Sequence, residues 1–330
     1  MDRPLLICLT PVFNEAWILP AFLKATSLWA DYIIIADQMS TDGSRDIYKK
    51  FDKVIVIDNP RKEMHQARTR QLLFDEAMKI TGDKILFTLD ADEFLSGDFV
   101  NTEDWKIILN SEPNDVFLFR WMNLHDNFTK YSTCPHMYWA LHVCDKIPDS
   151  FFPDNFIHEW RLPWPKVINK EYKIDEIFFL HFAHTNVLRM KNKNRFYQVS
   201  TISKLKKYSG VGFYRMYHPL RINDKCILPN NVFDYYIKHG LQITEYINLK
   251  DYGIHYTSSV LKYINDFGVK KFAKLDIWDS EFLKINNLKD PRTWYHKLLH
   301  KYLRITNNLQ NNFVIKNIDR IIKLIEKILY

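Results

Sequence analysis

The sequence predicts an α/β protein, a doubly wound and mostly parallel sheet followed by a mainly helical C-terminal region. Three observations carry this expectation. Four short apolar runs, LLICLTPVF (5–13), YIIIAD (32–37), VIVID (54–58) and KILFTLD (84–90), fall within the first 90 residues. Helical signals separate them, which is the alternation that builds parallel sheets. Three of the runs end in polar residues, Asn14/Glu15, Asp37 and Asp90/Asp92. In such a sheet these lie at the carboxyl edge, where ligands bind.

Each element has its own warrant. LLICLTPVF reads as a buried strand closed by Pro11 and Asn14. Residues 15–29 place Ile18, Phe22, Ala25 and Leu28/Trp29 at helical spacing. YIIIAD is short and β-branched, as befits a strand covered on both faces. Ser40-Thr41-Asp42-Gly43 supplies cap chemistry for a short helix over SRDIYKKF. VIVID is the third strand, residues 62–80 the third helix, and KILFTLD the fourth strand. Farther on, DVFLFRWMNL, YWALHVC and IFFLHFAH (177–184) read as strands, residues 186–207 as a basic helix, and 230–330 as mainly helical without a repeat. The expected division is 1–225 for the sheet-based, ligand-binding domain and 226–330 for the helical region.

Composition narrows the function. The chain has 330 residues, is 47% hydrophobic and carries a formal charge of +7. Ten Lys/Arg against Asp224 concentrate +9 between Arg189 and Lys225, which points to an anionic partner. Cys8, Cys134, Cys144 and Cys226 form no C-x-x-C pair, so reduced thiols and no zinc site are expected. The start MDRPLLICLTPVFNEAW is broken by proline and charge, no apolar run approaches a membrane span, and the expected location is the cytoplasm. There is no G-x-G-x-x-G after the first strand and no G-x-x-x-x-G-K-[ST]. A dinucleotide oxidoreductase and a P-loop ATPase are therefore poorly supported.

TLDADEFL (88–95) sets Asp90, Asp92 and Glu93 at the end of a strand. Such carboxylates can hold Mg²⁺ or Mn²⁺ against a diphosphate. The stretch comes in order with TPVFNE, DQMSTDGS and QAR (66–68). Together these resemble the nucleotide-sugar-binding half of glycosyltransferase family 2, of the type found in bacterial polysaccharide biosynthesis, with the GT-A fold. The likeness is close over about residues 4–100 and extends more loosely through IHEWRLPWP and LHFAH.

That resemblance implies roles residue by residue. Pro11, Asn14 and Glu15 match the motif near the nucleoside, and Asp37 the acid that contacts uracil or ribose. Gln38 and Met39 stand where an acid and a glycine are usual, which leaves the base open. Arg68 matches the arginine of A-R-N. Asp90 sits near the ribose and joins Asp92 at the metal, and His181 is a late metal or diphosphate ligand, with His184 second to it. Arg189, Lys193 and Arg195 close over the donor as a basic arm. The implied reaction is an inverting displacement from a UDP-linked sugar to a glycan or lipid-linked hydroxyl, in surface polysaccharide synthesis. Its base is sought among Asp145, Asp149, Asp154 and Glu159, with Glu159 first and Asp154 also retained.

Bland readings stand beside these. Asp37 and Asp42 could cap a helix, Glu15 favours a first turn, Arg68 a solvated face, His181 a packed core, and Trp121, Trp160 and Trp164 core packing rather than a sugar platform. Other functions remain open: a glycosyltransferase acting on modified bases or protein, where nucleic-acid binding would be steeply salt-dependent, a nucleotidyltransferase, or a non-catalytic binding module. Finally, FVIKNIDRIIKLIEKILY is amphipathic, with Val314, Ile318, Ile321, Ile325 and Ile328 on one face and Lys316, Arg320, Lys323 and Lys327 on another. Two roles are open to it: packing on the domain, or peripheral contact with the inner face of a membrane.

Overall fold

The computed structural model describes residues 3–60, 66–125, 127–146, 150–151, 161–205, 207–218 and 226–329. Its first elements are β1 (Leu5–Val12), α1 (Leu19–Ser27), β2 (Tyr32–Asp37), α2 (Ser44–Tyr48), β3 (Val54–Asp58), α3 (Gln66–Ala77), β4 (Lys84–Thr88) and β5 (Glu93–Leu95). There follow α4 (Glu103–Leu109), β6 (Val116–His125), β7 (Lys130–Thr133), β8 (Met137–Val143), β9 (Ser150–Phe151), β10 (Trp164–Pro165) and β11 (Glu171–His181). The remainder is α5 (Val187–Ser203), α6 (Gly210–Tyr217), β12 (Cys226–Ile227) and the helices α7 (Asp234–Lys238), α8 (Ile254–Phe267), α9 (Ser280–Ile285), α10 (Trp294–Ile305) and α11 (Phe313–Leu329).

The α/β class and the parallel core are as expected. The main path of the ten-stranded sheet runs β12-β7-β6-β8-β4-β1-β2-β3. β1 pairs in parallel with β2 and β4, and β2 with β3, while β8 joins β4 antiparallel. Alternate residues of one strand enter opposite cores: Leu6 and Cys8 pack on the side of α1, Ile7 and Leu9 on the side of α3. Burial on both faces explains why these strands read as continuous apolar runs. The first helix starts at Leu19, later than the apolar spacing implies, because the chain first makes a turn in which Glu15 O accepts the N–H groups of Ile18 and Leu19.

The chain divides into two compact units, one of residues 1–185 with 226–250, the other of 186–225 with 251–330. The division is not the single break expected at 225, which is one of three crossings. The return segment explains the difference. β12 pairs with β7, Gly97 N–H donates to Val232 O at 2.7 Å, and the Tyr236 hydroxyl donates to Leu95 O at 2.9 Å. Tyr235 sets its ring 4.3 Å from that of Phe99, and both tyrosines are buried in the first unit's core.

The second unit is helical. Val199 and Ile202 of α5 meet Val260 and Ile264 of α8 around Phe272 and Trp278. α6 packs Val211 and Tyr214 on Leu299 and Leu303 of α10. α11 turns the unexpected way. Its buried stripe carries Asp319, which takes Arg215 Nε at 2.8 Å, and Glu326, which accepts from the Ser209 hydroxyl and Gly210 N–H. Val314, Ile318, Ile321 and Ile325 are exposed, so the apolar stripe is not the one that packs on the unit.

Candidate functional site

At the carboxyl ends of β1 and β2 two loops are stitched together. Asn14, at φ +55°, donates its N–H to Ser40 Oγ at 2.9 Å and takes Thr41 N–H on its Oδ1 at 2.8 Å. Asp42 receives Ala16 N–H from the first loop and the Ser44 N–H and hydroxyl from its own. Asp37 is fully buried beneath: Ser40 N–H and Arg45 reach one oxygen at 2.9 and 2.8 Å, Tyr48 the other at 2.8 Å. Burial, together with the charge of Asp37, pushes the Tyr48 hydroxyl far up, so it stays a donor. Met39 adopts φ +61° within this loop, a conformation that costs a non-glycine residue about 1–2 kcal/mol. That strain accounts for a glycine being usual there.

The second wall is built by the pairing of β5 with the end of β11, which sets His181 opposite Glu93; β11 in turn pairs with β6, setting His181 opposite Asn123. Glu93 is wholly buried and collects four donors: Arg161 Nη1 (2.5 Å) and Nη2 (2.8 Å), Trp121 Nε1 (2.7 Å) and Asp90 N–H (2.8 Å). Asp90 takes Arg70 at 2.6 Å on one oxygen and Arg161 at 3.0 Å on the other. The Arg161 guanidinium also lies 5.3 and 5.2 Å from the rings of Trp121 and Trp139. The positive charge that three adjacent carboxylates demand thus comes from two arginines. The divalent ion expected at Asp90 and Asp92 is a separate matter, since the arginines engage Asp90 and Glu93 and leave Asp92 beside His181.

Burial dominates the electrostatics. It raises the Glu93 carboxyl, and the charge of Arg161 pulls the other way. It lowers Arg70 against the charge of Asp90. For Arg161 burial is outweighed by Asp90 and Glu93, and the guanidinium is held above its ordinary value. A guanidinium with two buried acids on its fork stays charged.

Asp92 is buried, and its Oδ2 lies 3.8 Å from His181 Nε2. The His181 Nδ1 is 2.7 Å from Asn123 Oδ1, and the ring stacks on Trp121 at 4.8 Å. With Asn123 oriented as the acceptor, Nδ1 carries the proton and the Nε2 lone pair is directed toward Asp92. The Asp92 carboxylate suits Mn²⁺ or Mg²⁺, which is commonly held by one or two carboxylates and completes its shell with phosphate and water, whereas an imidazole favours softer ions. Among the described residues no group of three His, Cys, Asp or Glu is placed to hold an ion.

The other expected residues are spread more widely. Pro11 is half-buried within β1. Glu15 takes Trp17 Nε1 at 2.5 Å. Arg68 is exposed on α3, whereas Arg70, two residues on, is buried against Asp90 and the Thr88 hydroxyl. Asp145 binds Gly82 N–H and Lys84, at the amino end of β4 and so the opposite end from Asp90. Asp149, Asp154, His158, Glu159 and Trp160 lie outside the described residues. Arg189 and Arg195 belong to the second unit and are buried in ion pairs there, with Asp251 at 2.9 Å and Asp279 at 2.6 Å; Lys193 is half-buried on the same helix. The residues missed were Arg70, Arg161 and Asn123. Arg70 shares the stripe of Ala67, Leu73, Phe74 and Ala77, which was a readable signal. Arg161 and Asn123 have none in the local sequence.

Residues 8–131 match the protein family described as Glycosyl transferase family 2. No curated protein matches the chain. Solved structures overlap parts of it. One is a 4-diphosphocytidyl-2C-methyl-D-erythritol synthase, at 11% identity over 43% of this chain and 74% of that one, with a TM-score of 0.28. Another is the glucosyl-3-phosphoglycerate synthase of Mycobacterium tuberculosis, solved with Mn²⁺, UDP and glucosyl-3-phosphoglycerate, at 14% identity over 38% and 45%, with a TM-score of 0.25. A second 4-diphosphocytidyl-2C-methyl-D-erythritol synthase, from Anaerococcus prevotii DSM 20548, overlaps at 12% identity over 42% and 71%, with a TM-score of 0.26. At these scores the family match is the finding that bears on function.

Proposed function

Residues 8–131 being a glycosyltransferase family 2 domain, we propose that the chain transfers a sugar, with inversion, from a UDP-linked donor to a hydroxyl of a glycan or lipid-linked acceptor, and that it serves surface polysaccharide synthesis at the cytoplasmic side. The observation that carries the reading is the convergence of Asp92 and His181 Nε2 at 3.8 Å, at the edge of the sheet where ligands bind. Asp92 and His181 would hold a divalent cation there, and such an ion would offset the charge of the leaving diphosphate.

The chain's own groups do the rest. Asn123 fixes the His181 ring, and the stack on Trp121 sets its plane. Arg161 and Arg70 neutralise Glu93 and Asp90, so that Asp92 is presented on a rigid turn rather than one strained by like charges. Asp37, Arg45 and Tyr48 hold the loop that faces the nucleoside. Glu159 or Asp154 takes the proton of the acceptor hydroxyl as its oxygen attacks the anomeric carbon. The leaving oxygen departs from the opposite face, which inverts the centre.

The test is a panel of nucleotide sugars with Mn²⁺, scored by release of nucleoside diphosphate and by the anomeric configuration of the product. Asp92→Asn should weaken Mn²⁺-dependent donor binding about 10–100-fold, the range for lost ligand-shell residues, and abolish transfer. Transfer that survives both EDTA and Asp92→Asn removes the metal assignment. Release of pyrophosphate in place of the diphosphate identifies nucleotidyl transfer instead.

A further inference from the structure

The exposed stripe of α11 takes no part in the sugar chemistry. Phe313, Val314, Ile318, Ile321, Leu324 and Ile325 are between 37% and 78% exposed. Leu309 and Ile305, which precede α11 in the chain, are exposed as well, at 53% and 69%. A monomeric protein rarely leaves so much contiguous apolar surface without use.

The charges beside it are of one sign. Lys316, Arg320 and Lys323 form the stripe on the other side of the helix, one turn apart. The two acids of the described helix, Asp319 and Glu326, are the residues turned inward, 7% and 1% exposed, against Arg215 and against Ser209 and Gly210. The helix has thereby sorted its residues into three stripes: acids and half-buried isoleucines inward, apolar groups outward on one flank, and cations on the other, with Lys316 and Arg320 exposed and Lys323 half-buried.

We propose that this face of α11 docks on an anionic lipid surface, lying in the headgroup plane with its isoleucines in the acyl boundary and its cations against lipid phosphates. Charge chooses the occupant. A second copy of the chain would set cations against cations, with both acids already engaged. A nucleic acid would neutralise the cations and leave the isoleucines wet. A bilayer bearing anionic headgroups satisfies both stripes. The helix lies on the surface and does not cross it: 17 residues reach about 25 Å, short of the ~30 Å hydrocarbon core, and no described helix is apolar enough to span.

The proposal is independent of the sugar chemistry and is tested without a donor. The full chain is sedimented with vesicles of phosphatidylcholine alone and of phosphatidylcholine with phosphatidylglycerol, over a range of salt. It should pellet with the anionic vesicles only and come off as salt rises. Lys316→Ala with Lys323→Ala should lower the partition coefficient about 30-fold, at about fivefold per cation. Ile321→Glu should lower it at least as much with unchanged helicity by circular dichroism, while Ile227→Glu, another exposed isoleucine, should leave it as it is. Absence of binding to anionic vesicles, or binding that Ile321→Glu leaves intact, overturns the proposal. So does a dimer in sedimentation velocity that Ile321→Glu converts to monomer while vesicles capture neither, for the face is then a homotypic interface.

Discussion

Replacing Arg161 by methionine removes the fork that ties Asp90 to Glu93 while keeping much of the side-chain volume. The wild-type guanidinium makes three hydrogen bonds to the two acids and sits over two tryptophan rings, and its side chain is only 13% exposed. Glu93 would keep Trp121 Nε1 and Asp90 N–H but lose its counter-charge in a place without solvent. Breaking a buried pair from one side costs about 3–5 kcal/mol. Methionine fills the stem volume, so little cavity penalty adds to that, and about 4 kcal/mol is expected. Because the chain has two units, a single melting curve would mix their transitions. Hydrogen exchange of peptides covering 88–95 and 177–184 reports the right region, and 4 kcal/mol corresponds to about a thousandfold loss of protection there if opening of this region limits exchange. Adding Glu93→Gln to Arg161→Met should return about 2 kcal/mol, since the orphaned charge is gone. Protection lowered less than tenfold by Arg161→Met, with no recovery in the double variant, would refute the claim that this ion pair frames the site.

Other substitutions separate neighbouring roles. Arg70→Met should cost about 3 kcal/mol because it strips Asp90 of one partner, whereas Arg68→Ala should stay within about 0.5 kcal/mol, as exposed changes do; hydrogen exchange of the peptides covering 66–77 and 88–95 in the two variants decides. Asp37→Asn should destabilise the 38–48 loop by about 2 kcal/mol through the weakened bonds to Arg45 and Tyr48, read as faster proteolysis of that loop and a raised donor KM. In the second unit, burial pushes Asp279 up, but the Phe282 N–H and the charges of Arg195 and Lys191 outweigh it and hold the carboxyl below its ordinary value. Its contribution is therefore complete above the unfolded value of about 3.9 and is lost as pH falls through the lower folded one. Asp279→Asn should flatten that acid limb, followed by exchange in the 277–285 peptide, while an unchanged limb would assign it to other groups.

The central strands were legible because both their faces are buried: β2 and β4 lie within YIIIAD and KILFTLD, while β3, the half-exposed edge strand, was legible from the β-branched run VIVID. The carboxyl-edge placement of Asn14, Asp37 and Asp90 followed from the alternation alone. The counter-charge did not follow, because Arg161 stands 71 residues from Asp90 and no periodicity links them. In QARTR the local pattern does distinguish the two arginines, since Arg70 falls on the apolar stripe and Arg68 off it. α11 shows the limit of amphipathicity. The spacing announces that the faces differ, but which face turns inward depends on Arg215 and Ser209, about a hundred residues upstream. Asp319 and Glu326, seven apart on the stripe of Ile322, were the hint.

The return segment 226–250 imposes an order on biosynthesis. When Thr185 has been made, every strand of the first unit except β12 exists, yet Leu95 and Phe99 still lack the tyrosines that cover them. At about 5–20 residues per second, the 65 residues from 186 to 250 keep the ribosome occupied for roughly 3–13 s. Through that interval the nascent sheet carries an open apolar flank beside β5, the strand that begins at Glu93. Completion of the site's scaffold is thus timed by translation, and a chaperone or a slow codon acting between 186 and 250 would act on the first unit although that stretch runs mostly through the other.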